Sequence, residues 1–213
     1  MTWDAAATAL PPPPRLWLVR HAQPLIAPGV CYGQHDVPAD PAATRAAAQR
    51  LAAALPGSAA VWHSPLQRCE LLALDLQALR PDLISQPDTH LREMDFGEWE
   101  GQTWDAIGKT AIDAWTDAFH THPPGGGESL RAMLARVGQA LQAARQQHAD
   151  SGVQDAVWIT HAGVARCVAW LLAHGSEAPP QPDTWPAYAP AWGGWEICSL
   201  GPAPPLGGSS VRY

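Results

Sequence analysis

The sequence of 213 residues lacks the surplus of basic residues with which nucleic-acid-binding proteins neutralise phosphates. It has 13 Lys and Arg against 20 Asp and Glu, a formal net charge of -7. Nucleic acid is therefore not an expected partner, and any anion site must be built locally against a negative field. Neither an apolar run of membrane-spanning length nor the basic and apolar regions of a signal peptide are present. We therefore expect a cytoplasmic protein that does not enter a membrane.

Closely spaced cysteine pairs are also absent. The four cysteines are scattered at Cys31, Cys69, Cys167 and Cys198. We therefore expect reduced, mostly buried thiols instead of disulfides or a redox motif. Several histidines show no spacing typical of metal ligands, so the sequence predicts no metal site. They are His63, His90, His120, His122, His148 and His174.

What the sequence does contain is an alternation of short apolar runs and helical segments. The predicted strands are residues 15–21, 59–64, 88–94, 155–161 and 194–200, and the predicted helices are residues 41–56, 66–79 and 162–175 with a longer one after residue 128. This order predicts an α/β fold, a three-layer α/β/α sandwich with a mostly parallel sheet and helices on both faces. We expect one domain over residues 15–200, between a flexible lead at 1–14 and a tail at 201–213.

Capping signals and apolar spacing support the predicted helices. Asp40-Pro41 and Ser64-Pro65 each place a capping residue before a proline, which is typical of a helix start. The helix after residue 128 has an apolar stripe at helical spacing. Its members are Leu130, Met133, Leu134, Val137 and Leu141. A second stripe, in the helix at 66–79, consists of Leu72, Leu76 and Leu79.

Three predicted strands end in cationic or imidazole side chains. The first ends on Arg20-His21, the second is followed by a helix with Arg68 in its first turn, and the late strand ends on His161. In open α/β sheets, ligands bind outside the carboxyl ends of the strands. Arginine forks and helix N-termini suit phosphate oxygens, and histidine can act as a nucleophile near neutral pH. These ends therefore predict one phosphate site.

A carboxylate-rich segment could supply a proton for such a site. It reads "LREMDFGEWEG" and contains Glu93 and Asp95; a partly buried carboxyl group there could protonate a leaving oxygen. Glu98 and Glu100 look like ordinary solvated charges, and Asp95 could cap a turn. Taken singly, Arg68 reads as a solvated helix charge and His161 as a structural histidine. Their joint occurrence in similar contexts favours the functional interpretation.

Five ordered blocks resemble the histidine phosphatase superfamily, which includes cofactor-dependent phosphoglycerate mutase. The blocks are "LVRHA" at 18–22, "HSPLQR" at 63–68, "LREMDFGEWEG" at 91–101, "GGES" at 126–129 and "THAGV" at 160–164. The resemblance implies that His21 is the nucleophile and becomes phosphohistidine. It implies that Arg20, Arg68 and His161 bind the phosphoryl group, with His161 also part of the catalytic set. It implies Glu93 as the general acid and base, and no metal or organic cofactor.

Two departures from the family pattern follow His21. The usual glycine is replaced by Ala22, which is tolerated unless the position needs a positive φ; we expect tolerance. The usual asparagine has no counterpart, since Ala27 stands six residues after His21. Further on, Tyr32-Gly33 matches a substrate-pocket position, and "CYGQHDVP" looks most like the branch with α-ribazole phosphatases. Tyr32 could equally be a packed loop aromatic.

The short chain favours a phosphomonoesterase acting on a small phosphorylated metabolite. A mutase needs additional lid segments to shield phosphohistidine from water, and only about thirty residues separate "EWEG" from "GGES". Trp99, Trp104 and Trp115 fall in the segment that should roof the pocket, which favours a bulky or aromatic leaving group if they are not core residues. A phosphoglycerate-type mutase and a phosphate-binding module without turnover are the alternatives. The physiological substrate and the oligomeric state stay open.

Overall fold

A computed structural model describes residues 13–201. The predicted lead and tail lie outside the described residues, except for 13, 14 and 201. The fold is the predicted α/β sandwich around a five-stranded sheet of order β3-β2-β4-β1-β5. The strands are β1 Arg15–Arg20, β2 Ala59–His63, β3 Ser85–Pro87, β4 Asp155–Thr160 and β5 Trp195–Ser199. All pair in parallel except β5, which is antiparallel to β1.

Helices cover both faces of this sheet. The α-helices are α1 Pro41–Ala54, α2 Gln67–Leu79, α3 Trp104–Ile107, α4 Lys109–Asp117, α5 Leu130–Ser151 and α6 Ala162–His174. Successive side chains of a strand point to opposite faces. Leu16 and Leu18 of β1 therefore join the core under α5 and α6, whereas Trp17 and Val19 join the core under α1 and α2. Within residues 13–201, none of the helices is both long and apolar enough to cross a membrane.

The helix signals are mostly confirmed. The Asp40 side chain accepts the Ala43 N–H at 2.7 Å and so caps α1, and every member of the predicted α5 stripe is buried. Helix α2 begins later than predicted, at Gln67. Its expected cap, Ser64, instead has its hydroxyl 2.8 Å from His161 Nε2. Leu79, predicted to share one face of α2 with Leu72 and Leu76, is 48% exposed.

The strand predicted at residues 88–94 is wrong. Strand β3 ends at Pro87, and a 3₁₀ turn follows at Thr89–Leu91. Asp88 caps this turn by accepting the His90 N–H at 2.8 Å. The carbonyls that follow are bound by the side chain of Arg136 in α5, so this backbone is satisfied without a neighbouring strand.

The sheet order places three strand ends side by side. Strand β4 lies between β2 and β1, so the residues after β1, β2 and β4 meet at one carboxyl edge. This convergence is the one predicted from the sequence, and it brings His21, Ser64 and His161 together.

Candidate active site

His21 is held by backbone groups at the edge of the sheet and is 2% exposed. Its N–H donates to the Thr160 carbonyl at 3.0 Å, and its ring Nδ1 lies 2.7 Å from the Ala22 carbonyl oxygen. Because a carbonyl oxygen only accepts, Nδ1 holds the proton and Nε2 keeps a lone pair. No non-glycine residue among the described ones has a positive φ, so the expectation that Ala22 is tolerated is confirmed.

His161 lies beside His21, with ring centroids 5.2 Å apart. Its Nδ1 accepts from Arg68 Nε at 3.3 Å, so its Nε2 carries the proton and donates to the Ser64 hydroxyl at 2.8 Å. His161 and Arg68 are both fully buried. Ser64, Arg68 and His161 therefore form a hydrogen-bonded polar layer beside His21.

Arg68 also fastens the loop after β1. Its Nη2 donates to the Gly33 carbonyl at 2.6 Å and its Nη1 to the His35 carbonyl at 2.9 Å. The guanidinium lies 5.3 Å from the Tyr32 ring centroid, a cation–π contact. Arg68 is therefore not a solvated helix charge. In this structure its donors point to the protein, and its predicted phosphate contact stays a prediction.

Burial keeps both imidazoles neutral near pH 7. Burial, and then the charge of Arg68, lowers the pKa of His21 to about 3. The same two causes, in the same order, lower the pKa of His161 well below its ordinary value. A neutral His21 with a proton on Nδ1 presents an unprotonated Nε2, which is the form of imidazole that can act as a nucleophile.

The Glu93 side chain lies against the first turn of α6. Its Oε2 accepts the Gly163 N–H and its Oε1 accepts the Met94 N–H, both at 3.0 Å. A Cβ atom at Gly163 would collide with the Glu93 carboxylate. Glycine is therefore required there by the close approach of the carboxylate to the helix backbone.

Arg136 holds the segment before Glu93, and sequence reasoning did not assign it a role. It forms a two-pronged ion pair with Glu128 at 2.7 and 2.8 Å. It also donates to the carbonyls of His90, Arg92 and Glu93 at 2.7, 2.8 and 3.1 Å. Glu128 belongs to the "GGES" block. The resemblance therefore drew attention to Glu128, but nothing in the sequence drew attention to Arg136, its partner eight residues later.

Glu100 is not the solvated charge expected from the sequence. Its Oε1 accepts the N–H groups of Gln34 and Phe96 at 2.7 and 3.0 Å, so it joins the Tyr32-Gly33 loop to the loop after Glu93. A Cβ atom at Gly33 would collide with this carboxylate. Glu98 is exposed, as expected, and Asp95 accepts the Gly97 N–H at 2.8 Å, which is the turn cap considered for it.

A cavity of about 350 Å³ opens in front of this assembly. Four of the predicted site residues line it, namely Arg20, Tyr32, Gly33 and Glu93. The other three, His21, Arg68 and His161, are buried and are not among the residues that line it. The structure thus brings all seven into one region but exposes only some of them.

Arg20 is one of two cations that line this cavity, and its surroundings suit an anion. Its Nη1 donates to the Pro190 carbonyl at 3.1 Å, and its guanidinium lies 5.3 Å from the Trp192 ring centroid. Its Nε is buried without a hydrogen-bond partner. Burial lowers the pKa of Arg20, and the nearby Tyr32 and Glu93 oppose this shift. Arginine stays charged at neutral pH even so.

Aromatic side chains form the far wall of the cavity. Trp104 and Trp115 both line it, with ring planes 10° apart and centroids separated by 6.5 Å. Phe96, Phe119 and Trp185 complete this wall. Trp99 packs edge-on against Trp104 and Trp115 and is 9% exposed. Two of the three tryptophans predicted over the pocket therefore line it, and Trp99 supports them from behind.

The cysteines are not paired with one another, and the side chains that could bind a metal do not cluster within residues 13–201. Three cysteines are buried and Cys198 is half-buried, none of them in a disulfide. Burial raises the pKa of the Cys31 thiol to about 12. Across residues 13–201, no group of three or more His, Cys, Asp or Glu side chains is placed to hold a metal ion.

Known proteins share this fold and sequence pattern. The family profile of the histidine phosphatase superfamily (branch 1) matches residues 16–184. The chain therefore belongs to the histidine phosphatase superfamily. A comparison with curated proteins gave no match.

Several solved structures are similar over most of their length. Mycobacterial glucosyl-3-phosphoglycerate phosphatase is 26% identical, with a TM-score of 0.63, covering 75% of this chain and 79% of that one. The protein TTHB049 from Thermus thermophilus is 33% identical, with a TM-score of 0.58 and coverages of 78% and 89%. A candidate alpha-ribazole-5'-P phosphatase from Escherichia coli is 24% identical, with a TM-score of 0.68 and coverages of 87% and 90%, and this likeness bears on the fold. Family and neighbours together support phosphatase-type activity.

Proposed function

We propose that the protein is a cytoplasmic phosphomonoesterase that hydrolyses a small phosphate monoester through a phosphohistidine on His21. The observation that supports this most is the state of His21, which is buried, neutral and oriented through Nδ1 to the Ala22 carbonyl. Beside it, Arg20 lines a cavity whose wall also contains Glu93, and its Nε has no hydrogen-bond partner.

In the first step the lone pair of His21 Nε2 attacks phosphorus, and the bond from phosphorus to the ester oxygen breaks. Arg20 binds the equatorial oxygens through charge-assisted hydrogen bonds. The Ala22 carbonyl stabilises the positive charge that develops on the ring by accepting from Nδ1. His161 packs beside the His21 ring and itself accepts from Arg68, and the resemblance assigns both to the phosphoryl group as well.

Glu93 supplies the proton that the departing oxygen needs. Each of its carboxylate oxygens accepts one backbone N–H, which leaves a lone pair on each for a proton. In the second step Glu93 takes a proton from water, which attacks phosphorus and releases phosphate from His21. The neutral nucleophile and the fixed cation supply this chemistry from the chain itself, without a metal or organic cofactor.

The aromatic wall favours a bulky or aromatic leaving group over a small polyol. Aromatic side chains bury large apolar areas and stack on flat groups, and Trp104 and Trp115 face the same cavity as Arg20. The named activity of the mycobacterial neighbour adds glucosyl-3-phosphoglycerate to the candidates worth testing.

Phosphate release from a panel of monoesters tests the proposal. The panel should contain p-nitrophenyl phosphate, phenyl phosphate, nucleoside monophosphates, sugar phosphates and glucosyl-3-phosphoglycerate, assayed between pH 5 and 8. The wild-type protein should release phosphate, and His21→Ala should lose turnover while retaining its melting temperature to within a few degrees. Phosphoryl transfer between glycerate positions that outruns hydrolysis would indicate a mutase instead. Phosphate binding without any release would indicate a binding module.

A further inference from the structure

We propose that Arg166 is a specificity residue, which binds an anionic acceptor on the leaving group of the substrate. Arg166 lies in α6, one helical turn after Ala162 and Gly163, and lines the same cavity as both of them. Neither the family blocks nor the chemistry proposed above uses it. The inference rests on the proposed function only in taking this cavity as the substrate site.

The donors of Arg166 are incompletely used. Its Nε is buried without a partner, and its Nη2 donates to the Ala187 carbonyl at a long 3.3 Å. The ion pairs found within residues 13–201 do not include Arg166. A guanidinium group that lines a cavity with most of its donors unused favours a ligand that supplies acceptors.

The partnerless donors concentrate at this cavity. Five buried side-chain atoms of the described residues lack a partner, and three of them belong to residues of the cavity wall: Arg20 Nε, Trp115 Nε1 and Arg166 Nε. In the proposed reaction Arg20 serves the transferred phosphoryl group. Trp115 and Arg166 are then left for the remainder of the substrate, the part that lies against the aromatic wall.

The charge balance of the wall points to an anion. Arg20, Glu93 and Arg166 are the charged residues that line the cavity. Arg166 is close enough to contribute, as a like charge, to the lowered pKa of Arg20. A second cation without a carboxylate partner, beside stacked tryptophans, suits a flat apolar leaving group that carries a carboxylate. Arginine binds a carboxylate with two parallel hydrogen bonds.

A substrate pair that differs in one carboxylate tests this role. The kcat/KM values for 4-carboxyphenyl phosphate and phenyl phosphate are compared in the wild type, in Arg166→Met and in Arg166→Lys. Because the two leaving groups differ intrinsically, the informative quantity is the change in their ratio between variants. We expect Arg166→Met to lower the ratio of carboxylate to phenyl substrate by about 10-fold or more, and Arg166→Lys to restore part of it. The matched control is Arg131→Met, an exposed arginine on α5, which should leave the ratio unchanged.

A binding measurement separates this inference from the proposed function. Calorimetric titration of (4-carboxybenzyl)phosphonate and benzylphosphonate reports the same selectivity without requiring turnover. If neither ester is hydrolysed by the wild type, the phosphatase proposal fails, and the phosphonate pair still decides the role of Arg166. Equal selectivity in the wild type and Arg166→Met would overturn the inference in either assay. If Arg166→Met melts well below the wild type, Arg166→Gln is measured in its place.

Discussion

Replacement of Arg136 by methionine should displace the Glu93 carboxylate without changing a residue that lines the cavity. The change removes two bonds to Glu128 and three to the carbonyls of His90, Arg92 and Glu93. Loss of one partner of a buried, hydrogen-bonded ion pair costs about 3–5 kcal/mol. Because both side chains are 16% exposed, water replaces part of the loss. We therefore expect the free energy of unfolding to fall by about 3 kcal/mol.

The effect on activity should depend on the leaving group. A general acid matters most when the departing oxygen is strongly basic, so a displaced Glu93 penalises phenyl phosphate more than p-nitrophenyl phosphate. We expect kcat/KM of Arg136→Met to fall by about 100-fold for phenyl phosphate and by less than about 10-fold for p-nitrophenyl phosphate. Denaturant titration measures the stability, and Arg131→Met on the same helix is the control. Equal losses for both substrates would refute the positioning of Glu93 by Arg136.

Three further predictions concern the layer around His21. Gly163→Ala should lower kcat/KM by about 100-fold, because the new Cβ displaces the Glu93 carboxylate. The control is Gly57→Ala, where a Cβ has open space. Equal kcat/KM values for Gly163→Ala and the wild type would contradict the contact. Between pH 6.5 and pH 3, His21 binds a proton in the unfolded state but not in the folded state. The free energy of unfolding of the wild type should therefore fall toward pH 3 by an amount of the order of 4 kcal/mol relative to His21→Asn. Parallel pH profiles of the two proteins in denaturant titrations would contradict the lowered pKa. Arg68→Met should lower kcat/KM for phenyl phosphate at least 10-fold, because it removes the hydrogen bonds to the Gly33 and His35 carbonyls; unchanged kinetics would exclude its role.

The strands, the long helices and the convergence at the sheet edge were predictable because each has a strong local signal. Strand β1 is a continuous apolar run, as central parallel strands are, and the stripe of α5 repeats at helical spacing. Asp40 caps α1 as its sequence context indicates. Ser64 shows the limit of this reasoning, because its hydroxyl bonds to His161, far away in the sequence.

The segment around Glu93 was mispredicted because its backbone is satisfied by a side chain from another helix. Residues 88–94 were predicted as a strand, but Arg136 supplies the donors that a neighbouring strand would otherwise provide. Glu100 was misread for a similar reason, since its two N–H donors come from loops on either side of the cavity. Pairings across such sequence distances have no signature in a single sequence.

The burial of Arg68 and His161 against each other could not be read from the sequence either. Their types and order gave the resemblance. Their orientations depend on the packing of the Tyr32–His35 loop against α2. The same holds for Arg166, an ordinary helix residue until α6 is docked beside the aromatic wall.

The site of the phosphoryl group in the quenched enzyme tests the central claim most directly. Wild-type protein is mixed with phenyl phosphate, quenched in alkali within milliseconds to preserve phosphohistidine, digested and mapped by mass spectrometry. The proposal predicts a phosphoryl group on His21, and none in His21→Ala. A phosphoryl group on any other residue, or continued turnover by His21→Ala, would contradict it.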